Sequence, residues 1–187
     1  ILVRSARGAV GIWNATNGQE LARLNGHTSW AFQASWSRNG SHVLTASQDS
    51  TVRIWETASG KELVHLESHA ATLTQATWSR DESRVLTSGC DVTDFEDNCI
   101  QGSARIWDAT NGQELVRLEG HTGEVTQATW SQDERRIWTA SLDGTVRIWY
   151  VHMADLLQAG CQWVPRNFTQ AEWQQYMGGA YRPTCPD

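Results

Sequence analysis

Two sets of side chains in the chain combine a serine, a histidine and an aspartate, the residue types of a hydrolytic site. The two sets, each closed by a tryptophan, are His27, Ser47, Asp49 and Trp55, and His121, Ser141, Asp143 and Trp149. In serine hydrolases an aspartate orients a histidine, which takes the proton of the nucleophilic serine. A nucleophile is needed once, at an open cleft, whereas this set occurs twice at equal separations. We therefore predict no catalytic residues in the chain.

The spacing of these sets follows a repeat of the whole sequence. The segments GAVGIW, STVRIW, GSARIW and GTVRIW end at Trp13, Trp55, Trp107 and Trp149, so the tryptophans are 42, 52 and 42 residues apart. In the unit that ends at Trp149, apolar and polar residues alternate in short segments, which predicts strands over 125–130, 136–141 and 145–149. A fourth strand is predicted over 114–118, and turn residues lie between the strands. Four strands in a period of about 40–45 residues predict one blade of a β-propeller.

The Gly-His pairs that open the units and the tryptophans that close them resemble WD-repeat proteins over residues 1–150. The pairs are Gly26-His27, Gly120-His121 and the degenerate Ser68-His69, and Trp107-Asp108 supplies the Trp-Asp dipeptide. The resemblance implies that each histidine, hydroxyl, aspartate and tryptophan set forms a buried network between the Gly-His turn and the tight turn. Whether Ser47 or Thr45 supplies the hydroxyl is left open. Gln101 stands where the Trp107 unit should carry its aspartate, so we expect an incomplete network there.

Counting strands predicts an all-β fold, a partial WD-repeat β-propeller with two full and two partial four-stranded blades. Residues 1–5 align with 43–47, so the chain is expected to begin within a second strand, and the fourth strand is not repeated after Tyr150. Two full and two partial blades are too few to close a ring. We therefore expect further blades upstream, in a parent ring of seven or more, and association of the chain when it is isolated.

Departures from the repeat are candidates for function, because the frame itself is structural. Trp30 and Phe32 lie in the first strand of their unit, where the other units carry Thr72 and Thr74, or Glu124 and Thr126. By strand alternation they point away from the core positions Ala31, Leu73 and Val125, and the resemblance places them at the top face, where partners dock. The alternative is packing against a neighbouring loop. The predicted partner-binding residues are Trp30, Phe32, Gln48, Thr72, Asp94, Glu96, Glu124, Thr126 and Leu142.

A ten-residue insertion between Gly89 and Ser103 accounts for the longer middle period. It carries four acidic residues, Asp91, Asp94, Glu96 and Asp97, and the cysteines 90 and 99 flank it. We interpret it as a solvated loop, with a disulfide between the two cysteines as one possibility, although disulfides are uncommon in the cytosol. Calcium binding by the carboxylates is the weaker alternative. The absence of a Cys-x-x-Cys pair disfavours zinc, and we predict no metal site.

The tail, residues 151–187, departs from the repeat and is predicted to form short helices that pack on the propeller. Apolar residues at helical spacing precede a capping box at Thr169 and Glu172. The tail is similar to the C-terminal tail of bacterial WD-repeat proteins that carry an upstream NACHT or NB-ARC type NTPase, or a caspase-like protease. We expect its cysteines, Cys161 and Cys185, to be reduced thiols, with a disulfide between them as the alternative.

The charge and composition of the chain exclude some classes of function. The net charge of −6 disfavours a nucleic-acid partner, and no apolar run is long enough to span a membrane. No phosphate-binding glycine motif is present, and we predict no cofactor. We expect a cytoplasmic protein-interaction or sensor module that recognises a protein partner or restrains an upstream effector. Oligomerisation of the parent on activation is left open. The alternative is a passive scaffold for an upstream enzyme, such as an NTPase, a protease or a kinase.

Overall fold

The computed structural model describes residues 2–4 and 8–151, which form fourteen β-strands and no helix. Except for Val151, the tail lies outside the described residues, and so do Cys161 and Cys185. The strands of the first half are β1 (Leu2–Arg4), β2 (Val10–Trp13), β3 (Glu20–Leu24), β4 (Ala31–Trp36), β5 (His42–Ser47), β6 (Thr51–Glu56) and β7 (Glu62–Glu67). Those of the second half are β8 (Thr72–Trp78), β9 (Arg84–Thr93), β10 (Cys99–Asp108), β11 (Glu114–His121), β12 (Val125–Trp130), β13 (Arg136–Ser141) and β14 (Val146–Tyr150).

The strands form four antiparallel sheets in chain order. The second and third sheets, β4-β5-β6-β7 and β8-β9-β10-β11, have four strands each. The first, β1-β2-β3, and the fourth, β12-β13-β14, have three among the described residues. Neighbouring sheets pack face to face, with β1 against β4, β5 against β8, and β9 against β12. This is a partial β-propeller with two four-stranded and two three-stranded blades, which confirms the predicted fold class.

The core lies between the sheets, because each strand alternates in the direction of its side chains. In β6, Val52 and Ile54 are fully buried, while the intervening Arg53 is only half-buried. These two side chains belong to one apolar cluster with Leu73, Val85 and Trp107 of the next sheet. Similar clusters join the first sheet to the second and the third to the fourth. Full burial of a valine or an isoleucine side chain contributes about 1.5–3 kcal/mol, so these clusters are the main force that holds the blades together.

A glutamine in the first strand of the second and of the third blade also links that blade to the next. Gln33 Nε2 donates to the carbonyl of Ala76 at 2.8 Å, and the Ala76 amide donates back to Gln33 Oε1 at 3.1 Å. Gln75 Oε1 accepts from the Ala128 amide in the same way, at 3.1 Å. The corresponding Gln127 of the fourth sheet is exposed. Each link fixes the register between two blades that share no ladder hydrogen bonds.

The insertion forms an extension of the β9–β10 hairpin, where we expected a solvated loop. Pairing continues beyond Gly102 to Cys99, opposite Thr93, and a disulfide joins Cys90 to Cys99. At the tip the Asp94 carboxylate accepts from the amides of Glu96 and Asn98, at 2.8 and 2.9 Å. These bonds shape a turn over 94–98, so the extra residues extend the sheet.

Candidate protein-interaction surface

The predicted network in the second sheet is present, and its hydroxyl comes from Thr45. His27 Nδ1 lies 3.1 Å from Asp49 Oδ2, and His27 Nε2 lies 2.7 Å from Thr45 Oγ1. Trp55 Nε1 donates to the same threonine oxygen at 2.8 Å. One proton arrangement satisfies all of these groups: the Nδ1–H of His27 donates to Asp49, and the Thr45 hydroxyl donates to Nε2. The network therefore joins the loop before β4 to the turn between β5 and β6.

This chain of groups has the connectivity of a hydrolytic triad, but its surroundings make it structural. Thr45 is 0% exposed, and its oxygen already accepts from the Trp55 indole. Burial lowers the pKa of His27, which keeps the imidazole neutral. Burial of Asp49 opposes ionisation, yet hydrogen bonds from Thr51 and the Thr28 amide bring the pKa of Asp49 to about 2. The Thr45 oxygen has no open cleft beside it in which a substrate could be attacked.

Ser47 and Ser141 brace the tight turn without joining the histidine to the tryptophan. Ser47 Oγ donates to the Ser29 carbonyl at 3.1 Å and accepts from the Asp49 amide at 3.2 Å. Ser141 makes the equivalent bonds to the Gly123 carbonyl and the Asp143 amide. In that sheet Thr139 is the hydroxyl between His121 and Trp149, at 2.7 and 2.8 Å, and His121 Nδ1 lies 2.8 Å from Asp143.

The network of the third sheet is complete, so the prediction of an incomplete one was wrong. Asp91 supplies the carboxylate, with Oδ1 3.0 Å from His69 Nδ1. Thr87 Oγ1 lies 3.1 Å from His69 Nε2 and accepts from Trp107 Nε1 at 2.9 Å. Asp91 follows His69 by 22 residues, as Asp49 follows His27 and Asp143 follows His121. The expected position of the aspartate had been counted back from Trp107, by the interval that separates aspartate and tryptophan in the other units. The insertion lies between Asp91 and Trp107, so this count ended at Gln101.

The three networks place the Gly-His loops, the tight turns and the inserted hairpin at the same end of their sheets. We call this end the top face. Trp30 is 43% exposed there, and its carbonyl accepts from the amide of the exposed Gln48 at 3.0 Å. Leu142 is 71% exposed, and its amide donates to the Glu124 carbonyl at 2.9 Å. Aromatic and aliphatic side chains held out from a rigid scaffold are typical of interaction surfaces.

The other predicted partner-binding residues differ in their surroundings. Phe32 is half-buried and packs against the apolar cluster between the second and third sheets. The hydroxyl of Thr126 donates to the Ala140 carbonyl at 3.2 Å. The Asp94 carboxylate shapes the hairpin tip, whereas Glu96 beside it is exposed. Phe32, Thr126 and Asp94 thus have structural contacts of their own, and the more exposed Trp30, Gln48, Glu96 and Leu142 form the outer part of the surface.

A groove of about 490 Å³ runs across the top face between the inserted hairpin and the fourth sheet. The hydroxyl of Thr72, at the start of β8, donates to Glu124 at its inner end. The residues that line the groove are Thr72, Cys90, Thr93, Asp97, Asn98, Cys99, Thr122, Gly123, Glu124, Leu142 and Asp143. The size lies within the range of ligand pockets. Of the predicted partner-binding residues, the groove therefore brings together Thr72, Glu124 and Leu142.

Asp94 and Glu96 on the hairpin were selected from the sequence, but the hairpin residues that line this groove were missed. Thr93, Asn98 and Cys99 line it, and Phe95 at the tip is 95% exposed. An aromatic residue inside an acidic turn was the available signal. Among the described residues no group of three or more His, Cys, Asp or Glu side chains could hold a metal ion. The calcium interpretation therefore has no ligand set in this part of the chain.

Comparison with known families and proteins agrees with the repeat. Residues 18–56 and 112–150 match the family described as WD domain, G-beta repeat. The chain is 34% identical over 68 residues to the target of rapamycin complex subunit LST8 of Saccharomyces cerevisiae, which covers 35% of this chain and 20% of that protein. It is 35% identical over 60 residues to protein groucho of Drosophila melanogaster, covering 32% of this chain and 8% of that protein. The chain thus spans a fifth or less of these curated relatives, which are eukaryotic.

Two computationally designed proteins of known structure have the same fold. The designed Ika4 protein superposes with a TM-score of 0.66 at 28% identity, over 81% of this chain and 84% of that chain. The designed Ika8 protein superposes with a TM-score of 0.65 at 27% identity, over 80% of this chain and 42% of that chain. No helix in the described part of the chain is long and apolar enough to cross a membrane.

Proposed function

We propose that this chain, part of a WD-repeat β-propeller, is a sensor module whose top face binds a protein partner and controls an effector domain of the same protein. WD repeats indicate a protein-interaction module, and one relative, the target of rapamycin complex subunit LST8, is a subunit of a complex. The observation that carries the proposal is the top-face arrangement. Trp30, Leu142 and the disulfide-linked hairpin project from successive sheets at the same end, where the buried networks hold their loops.

Control of an effector requires two states that the partner distinguishes. In the first the propeller holds the effector closed; in the second the partner occupies the same surface and releases it. The tail resembles those of WD-repeat proteins that carry an NTPase or a protease, so we propose one of these as the effector and the cytoplasm as the location. The acidic balance of the chain favours a protein partner over nucleic acid, because phosphate backbones need clustered Lys and Arg.

The test compares effector activity of the full-length protein with and without residues 1–150, in the presence and absence of the triggering partner. We expect the deleted protein to be active without the trigger. Activity that still requires the trigger after deletion would exclude the sensor function. Loss of recruitment without a change in specific activity would support a docking platform or the passive scaffold.

A second measurement separates surface recognition from folding. Trp30→Ala combined with Leu142→Ser should weaken partner binding, measured by surface plasmon resonance, while the unfolding midpoint stays constant. The matched control combines Leu21→Ser and Leu63→Ser, two exposed leucines on the outer strands β3 and β7. If the control weakens binding equally, the top face is not the docking surface.

A further inference from the structure

We infer that the groove between the inserted hairpin and the fourth sheet binds an extended segment of a partner protein that carries a Lys or Arg beside a bulky aliphatic side chain. This inference rests on the proposed function and specifies the chemistry of its partner. It is carried by the charge of the groove, by the apolar side chains on the elements that border it, and by the way its two walls are held.

Among the described residues, the ionisable side chains that line the groove are all carboxylates. They are Asp97 on the hairpin, Glu124 on the loop before β12, and Asp143 on the tight turn after β13. Within the described part of the chain no Lys or Arg lines the groove, and Glu96 adds a further exposed carboxylate at the hairpin tip. The Thr145 hydroxyl, with the His121 ring, lowers the pKa of Asp143, so this residue keeps its negative charge. A cationic side chain in the groove would therefore be attracted from both walls.

Exposed apolar side chains lie on both elements that border this acidic groove. On the fourth sheet Leu142 lines the groove and is 71% exposed, and Phe95 at the tip of the hairpin is 95% exposed. Exposed aliphatic and aromatic side chains beside charge favour a ligand that presents an apolar side chain next to its cation. A purely basic segment would leave these side chains uncovered, and a purely apolar one would leave the carboxylates without a counter-charge.

Both walls are held in place before any ligand arrives. The hairpin wall contains the Cys90–Cys99 disulfide, and both cysteines line the groove. At the base of the hairpin a Cβ atom placed on Gly102 would lie 2.2 Å from the Gly123 carbonyl oxygen, so the backbone of the hairpin touches the opposite loop. The other wall is fixed by the Leu142 amide, which donates to the Glu124 carbonyl at 2.9 Å. A preorganised groove loses little conformational entropy when an extended segment binds.

The experiment selects displayed random dodecapeptides on the immobilised full chain and measures the recovered peptides by fluorescence anisotropy. We expect enriched sequences with Lys or Arg within two positions of Leu, Ile, Val or Met. Their affinity should fall about tenfold for Leu142→Ser, which removes an apolar contact that the peptide would cover, and about threefold to tenfold for Glu124→Gln, which removes one of the negative charges. It should also fall when NaCl is raised from about 0.05 to 0.5 M. Leu63→Ser and Glu119→Gln, exposed residues on the outer strands, are the matched controls and should leave affinity unchanged.

The outcomes separate the two proposals. Enriched peptides that are acidic or uncharged, or that bind Leu142→Ser and Glu124→Gln as well as the unmodified chain, would overturn the groove assignment. If such peptides still lose affinity in Trp30→Ala, the top face remains the interaction surface and only the groove inference fails. Selected peptides that respond to neither set of variants would overturn both.

Discussion

The carboxylate of Asp91 lies 3.0 Å from the Nδ1 atom of His69, although the inserted hairpin begins directly beyond this aspartate. Asp91 also accepts hydrogen bonds from Ser103 and from the guanidinium of Arg105, which is itself buried. Burial opposes its ionisation, but the hydrogen bonds from His69 and Ser103 hold the pKa of Asp91 below its ordinary value. One carboxylate thus joins the loop before β8 to both strands of the inserted hairpin.

Replacing Asp91 should destabilise the third blade more than any exposed acidic residue would. Asp91→Ala leaves the buried Arg105 with Glu114 as its remaining carboxylate partner, at 3.2 Å. Removing one partner of a buried ion pair typically costs about 3–5 kcal/mol. Urea unfolding followed by tryptophan fluorescence measures the change. Glu96→Ala, at an exposed position of the same hairpin, is the control, and an equal small effect of both variants would contradict the role of Asp91.

The two hydroxyls of the tight-turn strand should differ in importance. Thr45→Val keeps the shape but leaves the N–H of the Trp55 indole and the Nε2 atom of the buried His27 ring without a partner, which should cost about 1–3 kcal/mol. Ser47→Ala should cost about 1 kcal/mol or less, because it removes bonds at the edge of the turn. Thr45→Ser should recover most of the lost stability. Equal costs for Thr45→Val and Ser47→Ala would mean that both hydroxyls hold the network.

The networks should make the fold sensitive to mild acid. Burial lowers the pKa of His27 and of His69, so below about pH 6.5 the unfolded chain binds more protons than the folded chain, and stability falls as the pH falls. Asp49, with a pKa of about 2 against an ordinary 3.8, adds a second loss between about pH 4 and pH 2.

Thermal unfolding midpoints at pH 7.5, 6.0 and 5.0 test the first of these effects. His27→Gln should reduce the dependence between pH 7.5 and 5, whereas His65→Gln, at an exposed position, should not. A midpoint that is constant over this range would show that the buried histidines do not resist protonation.

Among the described residues no further sheet covers the fourth sheet, and we expect the isolated chain to associate through this face. Val146, at 66% exposure, and Ile148 occupy the positions of Val52 and Ile54, which the next sheet buries in the second blade. We expect Val146→Glu with Ile148→Lys to lower the mass measured by light scattering after size exclusion. Charged substitutions of Leu21 and Leu63, exposed on outer strands, should leave it unchanged. A monomeric unmodified chain with a cooperative unfolding transition would refute the prediction.

Substitution of Trp30 should affect partner binding, whereas substitution of Phe32 should affect stability. Phe32 packs against the apolar cluster between the second and third sheets, so Phe32→Ala should cost about 2 kcal/mol or more of unfolding free energy. Trp30 is the more exposed side chain, so Trp30→Ala should weaken partner binding and change stability little. Chemical denaturation and a binding isotherm for each variant make the comparison. A loss of stability in Trp30→Ala as large as that in Trp55→Ala would place Trp30 in the core.

The blades and most of the strands could be predicted from the sequence alone. The alternation of apolar and polar residues, the turn residues and the repeated tryptophans can all be recognised within a short segment of sequence. They predict β12 and β13 with the bounds that these strands have in the structure. They also predict β11, which continues three residues further, to His121. The constant interval of 22 residues from histidine to aspartate was equally present in the sequence. It identifies Asp91 once the count starts from His69, because the chain between them has the same length in all three units.

Three features could not be predicted from the sequence and depend on the packing of the sheets: the hydroxyl that joins the network, the partial burial of Phe32, and the position of the groove. Thr45 and Ser47 both have side chains on the same side of β5, and the choice between them depends on the positions of His27 and Trp55, which come from other strands. The half-burial of Phe32 depends on the neighbouring sheet. The groove exists because the extended hairpin stands beside the loop of Gly123. Each of these features is a contact between elements, which period and turn chemistry within one element do not specify.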